Sequence, residues 1–319
     1  MIFVLEGPDL GGKSTLADEL EKQHIDWDVP VARLKRGPLK ADQDPLTEYL
    51  VPLQDYDGNG VWIIDRWHLG ELIYGPILRG ASRLSLAQAH YIELALRTLG
   101  GYQIHVTAAQ EILSRRYASR GDDLVSLEQL ITVREHYNTL IFQHMPWYVN
   151  VNTDALSNAH QAHGIMTSRK PFGSSTPYLR WTEKTVPAEY LGGPRPKVLL
   201  LGDRQANGSA TLKRPTVIWP FVPWNGTSGH WLFQSMLAAN IRTYDVGIIN
   251  ACDRPPIELL TTWHALGKPP TIALGLNAKK SAEGVGIPLA NHIPHPQFAR
   301  RFHHADLVPY GLEIKKVMT

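Results

Sequence analysis

The stretch Ile2–Leu20, IFVLEGPDLGGKSTLADEL, decides the reading of the first half of the chain. A short apolar run ends in an acid, passes through Gly7, Pro8, Asp9, Leu10, Gly11, Gly12, Lys13, Ser14 and Thr15, and a helical pattern follows over Thr15–Gln23. The loop fits G-x-x-x-x-G-K-[ST] in the strand–loop–helix context that gives this pattern its meaning. Glycines let backbone N–H groups converge on an anion, and the helix N-terminus adds the positive end of its dipole. Lys13 is expected to reach the β- and γ-phosphates of ATP, and the Ser14 hydroxyl to complete the coordination of Mg2+. Residues Gly7–Thr15 form the expected nucleotide-binding segment.

Working outward, the first half alternates short apolar runs with helical patterns, which implies a parallel α/β sheet. Strands are expected at Ile2–Glu6, Val29–Leu34, Val61–Asp65, Tyr102–Thr107 and Trp147–Val151. The clearest helix sets Leu86, Ala89, Ile92, Leu96 and Leu99 on one face and stops at Gly100-Gly101. From Ser157 to Pro196 the periodicity fades into a Pro/Gly/Ser-rich stretch that reads as a linker. A second α/β series follows, with strands at Lys197–Leu201, Val246–Asn250, Thr271–Leu274 and Leu289–Ile293 and helices near 229–239, 255–266 and 296–303. The expected organisation is a P-loop α/β domain at 1–155, a linker at 156–196 and a second α/β domain at 197–319.

Composition bounds the function classes. The 319 residues are 43% hydrophobic and 19% charged, the balance of a soluble globular protein. No apolar run approaches the roughly 20 residues that span a bilayer. The opening Met1–Glu6 lacks a basic region and meets an acid too early for a secretory signal. Cys252 is the only cysteine, which excludes internal disulfides and points to a reducing cytoplasm. The net charge of +2 conceals an asymmetry: residues 1–155 hold 14 Lys/Arg against 21 Asp/Glu, and residues 156–319 hold 18 against 9. A basic second half is expected to face a polyanion.

Glu6-Gly7-Pro8-Asp9-Leu10-Gly11-Gly12-Lys13-Ser14-Thr15 resembles the thymidylate kinase family, whose loop reads E-G-x-D-G-x-G-K-S-T; Leu10 departs from its glycine. VWIIDRWHLGELIYG ends a strand in Asp65-Arg66, similar to that family's acid–arginine pair, and SRRYASRGDD supplies Arg115, Arg116 and Arg120 where nucleotide kinases carry a basic lid. The resemblance covers about residues 1–150 and implies phosphoryl transfer, a reaction governed by positioning and charge neutralisation. It makes Lys13, Asp65, Arg66, Arg116 and Arg120 the candidate catalytic set. Asp65 has two jobs open to it: holding Mg2+ through water, or taking the proton of an attacking hydroxyl.

The second half resembles the uracil-DNA glycosylase superfamily over about residues 195–306. KVLLLGDRQAN, WNGTSGHWLFQSML, VGIINACDRPPIELL, TIALGLNAKK and ANHIPHPQFARRF follow one another in that superfamily's order. Carried over, Gly202-Asp203 matches the first-strand motif, Asn250 the strand motif, and His295-Pro296 the loop that clasps DNA near a flipped base. Gln297 replaces a preferred serine, and Arg204-Gln205 stands where an Ala-Pro or Asp-Pro turn is common, so a base reader is expected before an active glycosylase. Arg300 and Arg301 are placed to meet backbone phosphates. A zinc site among His292, His295, His303 and His304 is disfavoured for want of cysteines, and Trp219, Trp224 and Trp231 read as packing residues.

Together the halves resemble the bacteriophage 5-hydroxymethyluracil DNA kinases, which implies ATP and Mg2+ as cofactors, DNA containing modified uracil as partner, no membrane, and a host cytoplasm. Two alternatives stay open: a thymidylate or other deoxynucleoside monophosphate kinase with an accessory domain, and a DNA glycosylase with an ATP-binding switch. In the thymidylate kinase family the acid matching Asp9 touches the free 3′-hydroxyl of a mononucleotide. Inside a strand that oxygen is esterified, so a DNA acceptor requires another task for Asp9.

Overall fold

The computed structural model describes residues 2–25, 30–56, 60–122, 124–144, 149–153, 190–193, 195–203, 220–252, 255–302 and 307–318. They form two compact units interleaved along the chain: Met1–Pro45, Tyr56–Ser85 and Leu99–Thr176 make the first, and Leu46–Asp55, Leu86–Thr98 and Pro177–Thr319 the second.

The first unit is built on a five-stranded parallel sheet of order β2-β3-β1-β4-β5. Its strands are β1 (Ile2–Glu6), β2 (Val31–Lys35), β3 (Val61–Asp65), β4 (Gly101–Thr107) and β5 (Val149–Asn152). Every residue of β1 is buried, as an unbroken apolar run must be when both faces of a parallel strand are covered. Phe3, Leu5, Ile63, Ile104 and Val106 pack with Leu16 and Leu20 of α1 (Lys13–Ile25). Helices α3 (Leu69–Arg79), α5 (Gln110–Arg120) and α6 (Leu127–His144) complete the unit. From β1 the chain runs to the edge strand β2, returns to β3 beside β1, and then crosses to β4 and β5 on the other side. That reversal opens a crevice at the carboxyl end of β1, where α/β sheets bind ligands.

The second unit carries a five-stranded sheet of order β10-β9-β7-β8-β6. Strands β7 (Val198–Gly202), β8 (Val246–Asn250), β9 (Thr271–Leu274) and β10 (Asn291–Ile293) run parallel, and the two-residue β6 (Leu191–Gly192) is antiparallel to β8. The sheet is therefore mixed. Residues 190–193, read from sequence as linker, enter it: Tyr190 is fully buried and its hydroxyl donates to the Gly193 carbonyl at 2.6 Å. Of the rest of the expected linker, 156–189 and 194 lie outside the described residues.

Helix α4 (Leu86–Thr98) falls in sequence between β3 and β4 yet packs in the second unit, as does most of α2 (Pro45–Gln54). The single apolar face expected for α4 is only part of what it buries, because every residue from Ala87 to Leu96 is buried. Three of its polar side chains find partners within that unit: the Gln88 amide donates to Pro223 O at 3.2 Å, the Tyr91 hydroxyl to Pro220 O at 2.8 Å, and His90 Nδ1 lies 3.1 Å from Thr243 Oγ1.

The remaining helices are α7 (Ser228–Ala238), α8 (Pro256–Ala265), α9 (Leu276–Gly284), α10 (Pro296–Phe302) and α11 (Leu307–Lys315). Trp231 of α7 is buried as expected, edge-on to Tyr310 of α11 at 4.7 Å. The two helices approach so closely at Gly311 that a Cβ there would lie 2.2 Å from the Ser235 carbonyl oxygen. Gly311→Ala is accordingly expected to cost about 1–3 kcal/mol by forcing the helices apart. Thermal unfolding should register it as a lowered Tm. Among the described residues no helix is long and apolar enough to cross a membrane.

Candidate functional site

The loop after β1 is shaped by contacts that admit no side chain. Gly7 has φ +147°, and a Cβ there would sit 2.0 Å from the Val106 carbonyl oxygen of β4. Gly12 has φ +98° and would meet the Thr153 methyl at 2.9 Å. Leu10 adopts φ 59°, in the left-handed region that glycine enters most readily. The left-handed conformation costs an L-residue roughly 1–2 kcal/mol. Two contacts offset that cost. The Leu10 side chain packs against the apolar cluster of Ala108, Leu113, Val125 and Leu130, and its carbonyl accepts from Arg116 Nη1 at 2.8 Å.

Lys13 is buried and curls over the loop, its Nζ donating to Gly7 O at 2.8 Å and Pro8 O at 2.7 Å. Burial lowers its pKa, while Asp9 and Asp65 pull in the opposite direction. At the carboxyl end of β3, Asp65 is 1% exposed and Oδ2 accepts from the Ser14 hydroxyl at 3.2 Å. Asp65 Oδ1 is buried with no hydrogen-bond partner among the described residues. An unanswered carboxylate oxygen beside a hydroxyl, in a polar cleft, fits a hydrated divalent cation. Ser14 is the residue that would hold Mg2+, which when bound would neutralise phosphate charge, and Asp65 Oδ1 is placed either to reach that ion through water or to take the proton of an attacking hydroxyl.

The cleft has a volume of about 500 Å3 and is lined by Asp9, Lys13, Ser14, Asp65, Arg66, Arg116 and Arg120, among others. Two of the three arginines expected as a lid therefore reach it. Arg115 is exposed and does not line it. Arg116 is a brace for the loop as well as a cation: besides Leu10 O it donates to Thr153 Oγ1 at 3.1 Å and Thr153 O at 3.3 Å. The Thr153 hydroxyl in turn lies 2.9 Å from Gly11 O. Arg66 sits at φ 71°, its N–H donating to Leu5 O at 3.0 Å, and its guanidinium is ion-paired with Asp9. Tyr74 donates to Asp9 Oδ2 at 2.9 Å and accepts from the Asp9 N–H at 3.0 Å.

Behind the loop, Glu6 pins the turn after β3 to β1. Its Oε1 accepts from the Trp67 and Leu69 N–H groups, both at 3.0 Å, and Oε2 from the Tyr137 hydroxyl at 3.1 Å. Full burial raises the Glu6 pKa despite His68 and these hydrogen bonds. A carboxyl whose folded pKa is raised contributes stability below the unfolded value of about 4.5 and loses it as pH rises through the folded value. Glu6→Gln keeps the two backbone hydrogen bonds and removes the charge. The Tm of wild type relative to Glu6→Gln is expected to fall from pH 4.5 toward neutrality. A difference that is flat with pH would contradict this.

A second cluster gathers at the carboxyl edge of the other sheet. Asp203, Asn250 and Gly275 lie at or just beyond the ends of β7, β8 and β9, and His295 follows β10. A Cβ on Gly202 would meet the Phe221 ring at 2.4 Å and Asn250 Oδ1 at 2.7 Å; one on Gly275 would meet His295 Cβ at 3.1 Å and Asp203 Oδ2 at 3.2 Å. The Phe221 and His295 rings lie 5.7 Å apart, and Phe221 takes φ 52°. Asp203 caps α9, accepting from the Ala278 N–H at 2.7 Å. His295 Nδ1 accepts from the Gln297 N–H at 3.1 Å, and burial lowers the pKa of the ring. On α10, Arg300 is half-buried and Arg301 exposed. Arg204, Gln205, Trp219, His303 and His304 lie outside the described residues. Among those described, no group of three or more His, Cys, Asp or Glu could hold a metal ion.

Sequence motifs single out neither Thr153 nor Phe221, and assign no role to Tyr74 within VWIIDRWHLGELIYG. A tyrosine eight residues beyond Arg66 becomes an Asp9 partner only once α3 folds back on the loop.

The first unit is a P-loop domain of nucleotide-kinase type: a parallel sheet with the phosphate loop at its reversal point and an acid–arginine pair on the neighbouring strand. The chain is 26% identical over 141 residues to the SPbeta prophage-derived uncharacterized protein YorR of Bacillus subtilis strain 168, which spans 44% of this chain and 81% of that protein. A solved structure of YorR in complex with phosphorylated GDP matches with a TM-score of 0.43 at 24% identity, over 53% of this chain and 95% of that one. A structure of M. mycoides deoxyadenosine kinase with dCMP and dCDP matches with a TM-score of 0.33 at 16% identity, over 53% of this chain and 98% of that one. No protein-family model matches. The second unit has no identified relative among these.

Proposed function

We propose that this chain transfers the γ-phosphate of ATP to the hydroxymethyl oxygen of 5-hydroxymethyluracil in DNA, forming 5-phosphomethyl-deoxyuridine. The observation that carries the reading is the presence in one chain of two sites: a Lys13–Ser14–Asp65 phosphate cleft, and a mixed sheet whose parallel strands collect Phe221, Asn250 and His295 at their carboxyl ends. An aromatic face beside an amide and an imidazole suits a base taken out of its stack. The basic balance of the second half favours a polyanion. Asp203, committed to capping α9, supports a reader of bases over a hydrolase of glycosidic bonds. Similarity to a prophage-derived protein agrees with a phage-encoded step.

In the transfer, the hydroxymethyl oxygen forms a bond to the γ-phosphorus as the bond to the β,γ-bridging oxygen breaks, and ADP departs. Asp65 Oδ1 takes the hydroxyl proton. Lys13, Arg116 and Arg120 neutralise charge on the transferred group. Bound Mg2+ would add to that neutralisation.

The test is incubation with γ-labelled ATP and, separately, hydroxymethyluracil DNA, thymine DNA, free dTMP and free hydroxymethyl-dUMP. Label confined to hydroxymethyluracil DNA is expected. Label on the free mononucleotides contradicts the reading in favour of a deoxynucleoside monophosphate kinase, and alkali-labile abasic sites formed without ATP contradict it in favour of a glycosylase.

A further inference from the structure

The Asp9 carboxylate has both oxygens engaged inside the cleft. Oδ1 is ion-paired with Arg66, and Oδ2 accepts from Tyr74 at 2.9 Å. The Asp9 side chain is 5% exposed, whereas that of Arg66 is 30% exposed. The face this corner turns to the cleft is therefore cationic. A guanidinium has five N–H donors, and a carboxylate holding one nitrogen fixes the direction of the others. Fixed in that way it suits an oxyanion acceptor. An acid reading a sugar hydroxyl is better served by the opposite arrangement, an exposed oxygen not already held by a cation. The usual objection to a phosphodiester beside Asp9 is charge repulsion, and pairing with Arg66 cancels it.

We infer that Arg66, positioned by Asp9 and Tyr74, forms a phosphodiester-reading subsite, so that the cleft selects an acceptor nucleotide esterified at its 3′-oxygen over one with a free 3′-hydroxyl. The inference rests on the phosphoryl-transfer reading for the identity of the acceptor. Its test is a binding measurement, so the two can fail separately.

Three fluorescent probes are titrated against the full chain without ATP: a hydroxymethyl-deoxyuridine nucleotide joined 3′ to a second nucleotide by a phosphodiester, the same pair joined by a neutral methylphosphonate, and the mononucleotide with a free 3′-hydroxyl. Anisotropy should show the phosphodiester probe bound about tenfold tighter than either other, the worth of one charge-assisted hydrogen bond. Arg66→Gln and Asp9→Asn should each bring that ratio near one, while Tyr74→Phe, a milder change, lowers it partway. ATP affinity should stay within about threefold of wild type in Tyr74→Phe, a split that general loosening of the loop would not produce. Equal binding of the charged and neutral linkages by wild type overturns the subsite. So does tighter binding of the free 3′-hydroxyl probe that Asp9→Asn abolishes. Label transfer is run in parallel on the same probes: an intact linkage preference without transfer overturns the kinase reading and supports the subsite.

Discussion

Lys13→Ala is expected to lower phosphoryl transfer on the order of 10^3-fold while leaving the chain folded. Lys13 is the one ammonium buried within the phosphate loop, and its Nζ is held on the Gly7 and Pro8 carbonyls at 2.8 and 2.7 Å. A phosphate entering the loop offers that ammonium a stronger, charged acceptor in a site largely shielded from water. Without ligand the same charge is a burden, since burial already lowers its pKa. Removing it takes away a desolvation cost and leaves two carbonyls facing the cleft, so Tm should move little. Initial rates with γ-labelled ATP and hydroxymethyluracil DNA measure the first effect, and calorimetry the second. Transfer within tenfold of wild type would contradict the role of the loop.

Asp65→Asn should cost about 10^2–10^4-fold, the range of a lost general base. Asparagine fills the same volume and can still accept from Ser14, so the geometry at the end of β3 is kept. It cannot take a proton. The drop should fall on kcat, with the KM for ATP within a few-fold, and raising Mg2+ should not restore it. Recovery of rate at high Mg2+ would instead make Asp65 an anchor for the ion, the other task its unpartnered Oδ1 allows.

Much of this was legible in the sequence where local and tertiary demands agree. Strands Val61–Asp65, Val246–Asn250 and Thr271–Leu274 fall where apolar runs bounded by polar residues placed them, because strands covered on both faces leave unbroken apolar text. The loop glycines were legible because Gly7 and Gly12 answer backbone geometry that few other residues adopt. The sheet to which α4 belongs was not legible. Its helical period is clear, but Gln88, His90 and Glu93 hide that it is buried nearly all round, and period says nothing about which partner does the burying. Strand β6 is two residues long and carries no period at all. The Asp9–Arg66 ion pair spans 57 residues, and Arg116 reaches Leu10 across 106. Such pairings exist only once the sheet order brings the ends of β1, β3 and β4 together. Leu10, which departs from the resembling loop, is a packed residue with its carbonyl held.

The most direct measurement of the central claim is a competition in one tube: hydroxymethyluracil DNA and free hydroxymethyl-dUMP at equal nucleoside concentration, with limiting ATP, followed by digestion and mass analysis of every nucleoside. A phosphomonoester on the 5-methylene carbon of nucleosides released from the polymer is expected, with hydroxymethyl-dUMP recovered unchanged. Phosphate found on the soluble nucleotide, with the polymer unmodified, would contradict it.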